Sequence, residues 1–483
     1  MSFDDQTIDS RITGIWSYIS NKNIQSSITL DELRNLAENR NITVYDIKEV
    51  TFGYDIQSKG ILIKTSVGSA IYPRLRSTEI PLAQGRIAPT LNYEKYWKHV
   101  DWFFPPYISK GVLNNSMKMC GVTPRNFTSI DNVTAQNNFE NELSSLYTLS
   151  LIIPVTIQIL SKSTAISKHL PIIKEAILAF YSGVKIAAIS SLIPIIEDIL
   201  RTIVGEEGSE LDTISKINSC FKVAYLNVLK LDIHNADWIP SEFCDFEYLK
   251  ANNERIFMLE TLRTWLLESF YANTCNYNKQ SGFNRHHFAH ALSDIWQNES
   301  NFFRAMGLIQ ALAFVEVFSL PESKVSILVP EYNEDSTSFH AEVLACLEAQ
   351  QIKKIALNRF QLTNELPFIT TASDDGWSVR AIVLSEKMNN EIIPKLRDKG
   401  WHCHEIGDPE KDGEFITVEA KKNGRNIKIA LVYSFAISSD VYARFNDSCD
   451  YVLCQGSSYR VKEFTSQLKC QALPLNAWIA PES

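Results

Sequence analysis

A short polar cluster, Asn284-Arg285-His286-His287-Phe288-Ala289-His290, stands out in a region that is otherwise apolar and helical. Arginine stays charged and its forked guanidinium fits phosphate oxygens, whereas histidine takes up or releases a proton near neutral pH. His286 and His290 are four residues apart, so a helix places them on one face, with Arg285 at the helix start. Together with the carboxamide of Asn284, these side chains can bind a phosphodiester and transfer protons to or from it.

These residues resemble the signature of the HEPN superfamily, which is an arginine, a polar residue, three further residues and a histidine. In this chain the signature is Arg285, His286, three residues and then His290. Asn284 precedes the arginine, as in many HEPN-type proteins, whereas Ala291 stands where many of them have glycine. The setting adds to the resemblance, because a long helical region precedes the motif and an apolar helix is expected after it.

The resemblance covers residues 140–320 and implies an all-α, HEPN-like helical bundle there. It also implies a metal-independent endoribonuclease without a cofactor, in which the 2′-hydroxyl of RNA attacks the adjacent phosphorus. His290 would then be the general base or acid, Arg285 would stabilise the charge on the phosphate, and Asn284 and His286 would orient the phosphate. Two copies of the motif usually face each other across a homodimer in this family, whose nucleases are concentrated among toxins and antiviral-defence effectors.

The helix expected before the motif carries Glu197, which could pair with Arg285 or orient a histidine. The resemblance also leaves open an alternative without catalysis. In that alternative the chain is a HEPN-type scaffold that dimerises through the bundle, contacts nucleic acid through its N-terminal segment and senses a ligand or partner protein through its C-terminal domain.

The segment 56–126 combines basic and aromatic residues, as single-stranded nucleic-acid sites do. The candidate contacts are Arg86, Lys95, Lys98 and Trp97. It also holds a dense aromatic set, Tyr93, Tyr96, Trp97, Trp102, Phe103, Phe104 and Tyr107. The alternative is that these aromatic residues are core and the lysines form an ordinary solvated face.

Composition sets the broad class of the protein. At 483 residues and 45% hydrophobic content, two or three packed domains are expected. A net charge of −9 argues against a protein whose whole surface binds nucleic acid, but not against a local basic site. Nine cysteines without a repeating framework and an acidic start predict a cytoplasmic protein with reduced thiols. The apolar run Leu146–Leu160 contains Pro154 and is shorter than the ~20 residues of a bilayer span, so we expect a buried helix and no membrane association.

Patterning predicts a multidomain α+β fold with three domains: residues 1–139, 140–320 and 321–483. The first is expected to be α+β, with either a winged-helix arrangement or a generic α+β cap. Its predicted helices are 8–19, 30–41 and 43–50, followed by strands 61–64 and 70–72. Helices 186–204, 213–229 and 248–271 are predicted in the bundle.

The C-terminal domain is predicted to be α/β. Its expected strands are 325–329, 354–357, 379–384, 401–406 and 450–453, its hairpin joins 414–421 to 427–432, and its helices are 339–350, 391–399 and 435–445. Asp408, Glu419 and Lys421 resemble the Asp…Glu-x-Lys pattern of metal nucleases. That resemblance implies a second alternative function, a metal-dependent nuclease in which the two carboxylates hold Mg²⁺ and the lysine activates water.

Overall fold

The computed structural model of the chain describes residues 8–205, 212–275, 277–290, 295–363, 377–410, 413–433, 439–455 and 468–482. Helices predominate in these residues, and they are accompanied by one sheet of three strands and another of five. Close contacts divide the chain into two compact units: residues 1–177 with 187–340, and residues 178–186 with 341–483. The expected mixture of helix and sheet is therefore confirmed.

The first unit begins with two helices, α1 (Ser10–Asn21) and α2 (Leu30–Glu38). A capping box begins α2. The Thr29 hydroxyl accepts the N–H of Glu32 at 3.2 Å, and the Glu32 carboxylate accepts the N–H of Thr29 at 2.8 Å. This reciprocal pair satisfies two of the backbone donors that a helix start leaves without partners.

The helix predicted over residues 43–50 is wrong, because this segment is strand β1 (Val44–Phe52). It is an edge strand of a three-stranded antiparallel sheet with β2 (Ser58–Thr65) and β3 (Gly68–Pro73). These two strands contain the predicted strands 61–64 and 70–72. The β-branched and aromatic residues of β1 favour a strand, and its pairing with β2 extends along the whole strand. Two helices instead of three therefore precede the sheet, which differs from the winged-helix alternative and leaves the generic α+β cap.

Helices make up most of the rest of the first unit. In chain order they are α3 (Pro81–Gly85), α4 (Ile87–His99), α5 (Lys110–Met119), α6 (Asn132–Leu146), α7 (Leu149–Gln158), α8 (Leu170–Tyr181), α9 (Lys185–Val204), α10 (Thr213–Asp232), α11 (Phe246–Asn252), α12 (Glu254–Trp265), α13 (Arg285–Ala289), α14 (Ser300–Ser319) and α15 (Glu334–Thr363). Of these, α8, α9 and α15 each continue into the second unit.

The single helix predicted over residues 248–271 is divided at Asn253. This residue is extended (φ −141°, ψ 103°), and its side chain accepts the N–H groups of Arg255 and Ile256, so it ends α11 and caps α12. Beyond α12 the chain widens into a π-helical turn, Leu266–Phe270. Backbone carbonyls at the end of this turn accept hydrogen bonds from the side chain of Asn284.

A buried arginine, Arg304 of α14, lies in the core of the first unit. Its Nε donates to Glu140 Oε1 at 2.9 Å, and its Nη1 donates to the backbone carbonyl of Asp101 at 2.7 Å. Its guanidinium also lies 4.8 Å from the centroid of the Trp102 ring. Burial raises the pKa of the Asp101 carboxyl, and the charge of Arg304 opposes that rise. Arg304 thus compensates the buried Asp101 and the largely buried Glu140.

The second unit contains a five-stranded sheet whose strand order follows the chain. Its strands are β4 (His402–Ile406), β5 (Phe415–Lys422), β6 (Arg425–Val432), β7 (Tyr451–Cys454) and β8 (Gln471–Pro474). Strands β4 to β6 are antiparallel, whereas β6, β7 and β8 run parallel to one another. Its helices beyond α15 are α16 (Trp377–Lys387), α17 (Ile393–Asp398) and α18 (Ser439–Ser448), with a π-helical turn, Met388–Ile392, before α17. The predicted hairpin and the late strand are confirmed; residues 435–438 of the last predicted helix lie outside the described residues.

Three strands predicted for the C-terminal region are wrong. Residues 325–329 have no regular secondary structure, residues 354–357 belong to α15, and residues 379–384 belong to α16. Each prediction rested on an apolar run of four to six residues. Such a run fits a strand and a short part of a helix equally well. Two of the runs belong to helices that extend well beyond them.

The two units do not follow the three predicted domains. The first unit continues to residue 340, past the boundary predicted at residue 321, and it contains both sides of the boundary predicted at residue 140. Helix α4, from the predicted N-terminal domain, packs against α11 and α12 of the predicted bundle and against α6, which crosses the boundary predicted between them. The buried aromatic residues at these contacts join the two segments in one unit.

One helix of the described residues, Ser300–Ser319, is long and apolar enough to cross a membrane by length and composition. Within its most apolar stretch, 89% of the residues are buried inside the protein. The helices Asn132–Leu146 and Leu149–Lys162 pass the same test only as a pair, and they are bent by 62° at their junction.

We predict that Arg304→Met lowers the free energy of unfolding of the first unit by about 3–5 kcal/mol, because it leaves the buried acids without their cation. Urea denaturation followed by tryptophan fluorescence measures this change. The control is Lys48→Met, since the Lys48 side chain is 56% exposed and lies 3.5 Å from Asp46. Its effect should be below about 1 kcal/mol. Equal effects of the two substitutions would contradict the role given to Arg304.

Candidate functional site

Asn284, the first residue of the motif, is buried and serves as a structural cap. Its Oδ1 accepts the N–H groups of His286 at 2.9 Å and His287 at 3.2 Å, so it begins α13. Its Nδ2 donates to the carbonyls of Ser269 at 2.8 Å and Ala272 at 3.0 Å, at the end of the π-helical turn. The orientation of phosphate expected of Asn284 is therefore replaced by a positioning role, because both ends of its carboxamide are occupied by backbone groups.

A second buried asparagine closes the loop that carries the motif. Asn301 Nδ2 donates to the carbonyl of Ser281 at 2.7 Å and to that of Trp296 at 3.0 Å. Gly282 lies between them with φ +63°, and a Cβ at this position would lie 2.8 Å from Ile295. Only glycine fits both the positive φ and this close approach. The two ends of the motif loop are thus held beside each other at the start of α14.

This loop is also tied to the buried Arg304. Ser281 Oγ donates to Asp101 Oδ2 at 3.2 Å, and Ser269 Oγ donates to the other carboxylate oxygen of Asp101. Ser269 is the same residue whose carbonyl accepts Asn284, so short polar contacts lead from the core arginine to the cap of the motif helix. Buried groups of this kind are costly to separate, and they fix the position of the motif backbone.

Arg285 pairs with Glu197 of α9, as one of the two expectations for Glu197 predicted. Arg285 Nε lies 3.1 Å from Glu197 Oε1, at an angle that fits an ion pair better than an aligned hydrogen bond. Burial raises the pKa of Glu197, whereas Arg285 and the hydroxyl of Tyr271 oppose that rise. The Arg285 guanidinium also lies 5.8 Å from the centroid of the Tyr271 ring.

The terminal nitrogens of Arg285 make no hydrogen bond or ion pair with any residue that the structure describes. Arg285 lines a cleft of about 490 Å³, hereafter the Arg285 cleft. Its polar lining comprises Glu197, Asp198, Arg201, Thr213, Lys216, Tyr271 and Arg285. Because Nε is paired, the side chain is 41% exposed and the terminal nitrogens have no described partner, the guanidinium can receive an anion at the cleft.

The histidines of the motif form a separate group. The rings of His286 and His290 are parallel within 2° and 6.3 Å apart, which confirms that the two share one face. Burial and then the charge of Arg285 lower the pKa of His286. A lowered pKa leaves His286 neutral at pH 7, the form that accepts a proton. Neither histidine belongs to the described lining of the Arg285 cleft.

The aromatic residues of segment 56–126 belong largely to the core, as the alternative interpretation predicted. The prediction that Trp97 offers a stacking face is wrong, because its side chain is 1% exposed and packs edge-on against Phe104 and Phe139. Lys98 forms an ion pair with Glu268 at 3.0 Å. Of the other predicted contacts, Lys95 is exposed, and Arg86 lines a different groove.

The second predicted site is only partly assembled. Glu419 of β5 forms an ion pair with its cross-strand neighbour Lys428 at 2.8 Å, which lowers the pKa of the Glu419 carboxyl. Lys421 is exposed, and Asp408 is exposed in the segment after β4 with no ion pair to a described residue. In the described part of the chain, no group of three or more His, Cys, Asp or Glu side chains is placed to hold a metal ion.

Most polar residues of the Arg285 cleft were not anticipated from the sequence, and two of them bear directly on its charge. Tyr271 contacts both members of the Arg285–Glu197 pair, and Lys216 adds a cation that has no ion pair with a described residue. Tyr271 ends the segment from which the chain enters the motif loop, which was a usable signal. Lys216 comes from α10, and nothing in its local pattern distinguishes it from other helix-surface lysines.

A scan against protein-family models gave no match, and neither did searches of the curated proteins and of the solved structures.

We predict that Asn284→Ala destabilises the motif loop locally by about 2 kcal/mol, because it removes a helix cap and two donors to buried carbonyls. Hydrogen exchange should become faster across residues 281–290. The control is Asn298→Ala, since Asn298 is exposed and makes no side-chain hydrogen bond to a described residue. If amide exchange in the loop is as slow in Asn284→Ala as in the control, Asn284 is not the cap on which the loop depends.

Proposed function

We propose that this protein is a metal-independent endoribonuclease of HEPN type. The observation that carries the proposal is the position of Arg285: its Nε is paired with Glu197, its terminal nitrogens have no described partner, and the residue lines an open cleft. A guanidinium held in this way suits the charge that develops on a phosphate during cleavage, because it needs no reorganisation at the moment of reaction.

In the proposed reaction a histidine of the motif, His290 or its neighbour His286, removes the proton of the RNA 2′-hydroxyl. The 2′-oxygen then forms a bond to the adjacent phosphorus while the bond from phosphorus to the 5′-oxygen breaks. A protonated histidine supplies the proton that the leaving 5′-oxygen needs, and Arg285 stabilises the charged phosphorane. The products are a 2′,3′-cyclic phosphate and a 5′-hydroxyl, and a role as a toxin or antiviral-defence effector fits such an activity.

The homodimer belongs to the same proposal. The histidine pair is not part of the described lining of the Arg285 cleft, so one copy of the chain does not supply a complete set of groups around that cleft. We propose that a second copy brings its histidines to the cleft, with the motif helices facing each other. A symmetric dimer would then contain two equivalent composite sites.

One observation favours the alternative of a non-catalytic, HEPN-type scaffold. Glu197 neutralises Arg285, and Asn284 is used entirely for structure, so two of the four motif groups already have structural partners. In that alternative the same ion pair would hold the bundle together, and the protein would bind nucleic acid without cleaving it.

We predict that Arg285→Ala and His290→Ala each lower the rate of RNA cleavage by ~10²–10³ without changing the unfolding midpoint. The assay uses labelled RNA in the presence of EDTA. The matched control is Arg444→Ala, because Arg444 pairs with Glu410 at 3.1 Å, like Arg285 with Glu197, but in the second unit. Parent-like cleavage by the two motif variants would contradict the assignment. Cleavage that EDTA abolishes would instead indicate the metal-nuclease alternative at Asp408, Glu419 and Lys421, and no cleavage at all would indicate the scaffold.

We predict that the inactive variants complement each other. If each site combines Arg285 of one copy with His290 of the other, a mixed dimer of Arg285→Ala and His290→Ala chains contains one intact site. An equal mixture that exchanges subunits freely should recover about a quarter of the parent activity. Light scattering should give the mass of a dimer. A fully active monomer, or a dimer without complementation, would contradict the composite site.

A further inference from the structure

A long open groove lies in the first unit, apart from the residues that line the Arg285 cleft. It has a volume of about 1030 Å³. We call it the basic groove. The charged residues that line it are Arg86, Lys110, Lys118, Arg125, Lys250, Asp55 and Glu254. Five cations therefore face two acids, although the whole chain carries a net charge of −9.

Three of these cations are fixed in place by their partners. Arg86 Nε donates to the carbonyl of Ala251 at 2.8 Å, and its guanidinium pairs with Asp55 at 3.1 Å. Lys250 pairs with Glu94 at 2.8 Å. Lys110 pairs with Glu254 at 2.5 Å. These ion pairs hold basic groups along the groove and neutralise part of their charge.

The remaining two cations, Lys118 and Arg125, are exposed and form no ion pair with a described residue. They belong to the same groove although they come from different segments, the end of α5 and the turn after it. Positive charges without protein partners at one groove attract a polyanion, and their interaction is weakened by salt.

The floor of the groove is aromatic. Tyr93 stacks on Phe257 with ring planes 12° apart and centroids 5.7 Å apart, and both rings contact Phe104. Tyr93 is partly exposed, and among the described residues its hydroxyl hydrogen-bonds only to the sulfur of Met117, at 3.9 Å. Tyr96 also lies nearly parallel to Tyr93, with ring centroids 5.9 Å apart, so neighbouring rings fix Tyr93 and its exposed part offers an aromatic contact to a planar group.

We propose that the basic groove binds single-stranded RNA, with phosphates at Lys118 and Arg125 and a base on Tyr93. Cations beside an aromatic face are the combination that single strands use, since phosphates pair and bases stack. The groove reaches the upper end of the range for small-molecule sites, about 300–1,000 Å³, so it has room for more than one nucleotide. An acidic peptide would satisfy the cations but not the aromatic face. The inference deepens the proposed ribonuclease by naming a contact for its substrate, and it rests on that function.

The test measures binding of a fluorescent, fully 2′-O-methylated RNA decamer by anisotropy. Such RNA lacks the attacking hydroxyl, so binding is read independently of cleavage, and failure of the proposed chemistry leaves this result intact. Lys118→Glu/Arg125→Glu should weaken binding by about tenfold or more and reduce the log–log salt slope by about 1.4. The control Lys59→Glu/Lys64→Glu makes the same change in charge at exposed lysines outside the groove and should retain most of the affinity.

A second variant examines the aromatic face. Tyr93→Leu keeps an apolar side chain but removes the ring, and it should cost about tenfold in affinity. Equal losses in the groove and control charge variants, or parent-like binding by Tyr93→Leu, would overturn the proposal. So would displacement of the decamer by poly-glutamate at an equal concentration of charge, which would indicate an acidic protein partner, or full displacement by micromolar AMP, which would indicate a site for free nucleotides.

Discussion

The burial of Arg304 is the constraint on which the motif region depends. A guanidinium without solvent access requires compensating groups, and these are Glu140 and Asp101. Asp101 in turn binds Ser269 and Ser281, which flank the loop before the motif helix. A charge placed in the core for packing reasons thereby fixes the backbone from which Arg285 and the histidines project.

Local patterns were sufficient where the nearest neighbours in sequence decide the structure. The capping box of α2, the 415–432 hairpin and the pairing of His286 with His290 all depend on residues a few positions apart. Patterns failed where distant parts of the chain decide. Strand β1 forms because β2 pairs with it, and the runs near residues 355 and 381 become helix within longer elements that a short window does not reveal.

The candidate site shows the same division. The residue types of the motif predicted phosphate chemistry, and the position of Glu197 before it suggested the ion pair with Arg285. The structural use of Asn284 could not be foreseen, because its carbonyl partners belong to a π-helical turn that no sequence signal marks. The prediction that Trp97 contacts nucleic acid failed for a related reason. An aromatic residue among lysines suits both a binding surface and a core, and only the surrounding rings decide between them.

The central claim is that RNA is cleaved by its own 2′-hydroxyl at a site organised by Arg285. The most direct measurement is to identify the ends of the RNA fragments, using a substrate with one 2′-deoxynucleotide at the preferred cleavage position and its all-ribose counterpart, both in EDTA. The account predicts 2′,3′-cyclic phosphate and 5′-hydroxyl ends from the all-ribose RNA and no cleavage at the deoxy position. Cleavage at the deoxy position, or fragments with 5′-phosphate ends, would contradict it.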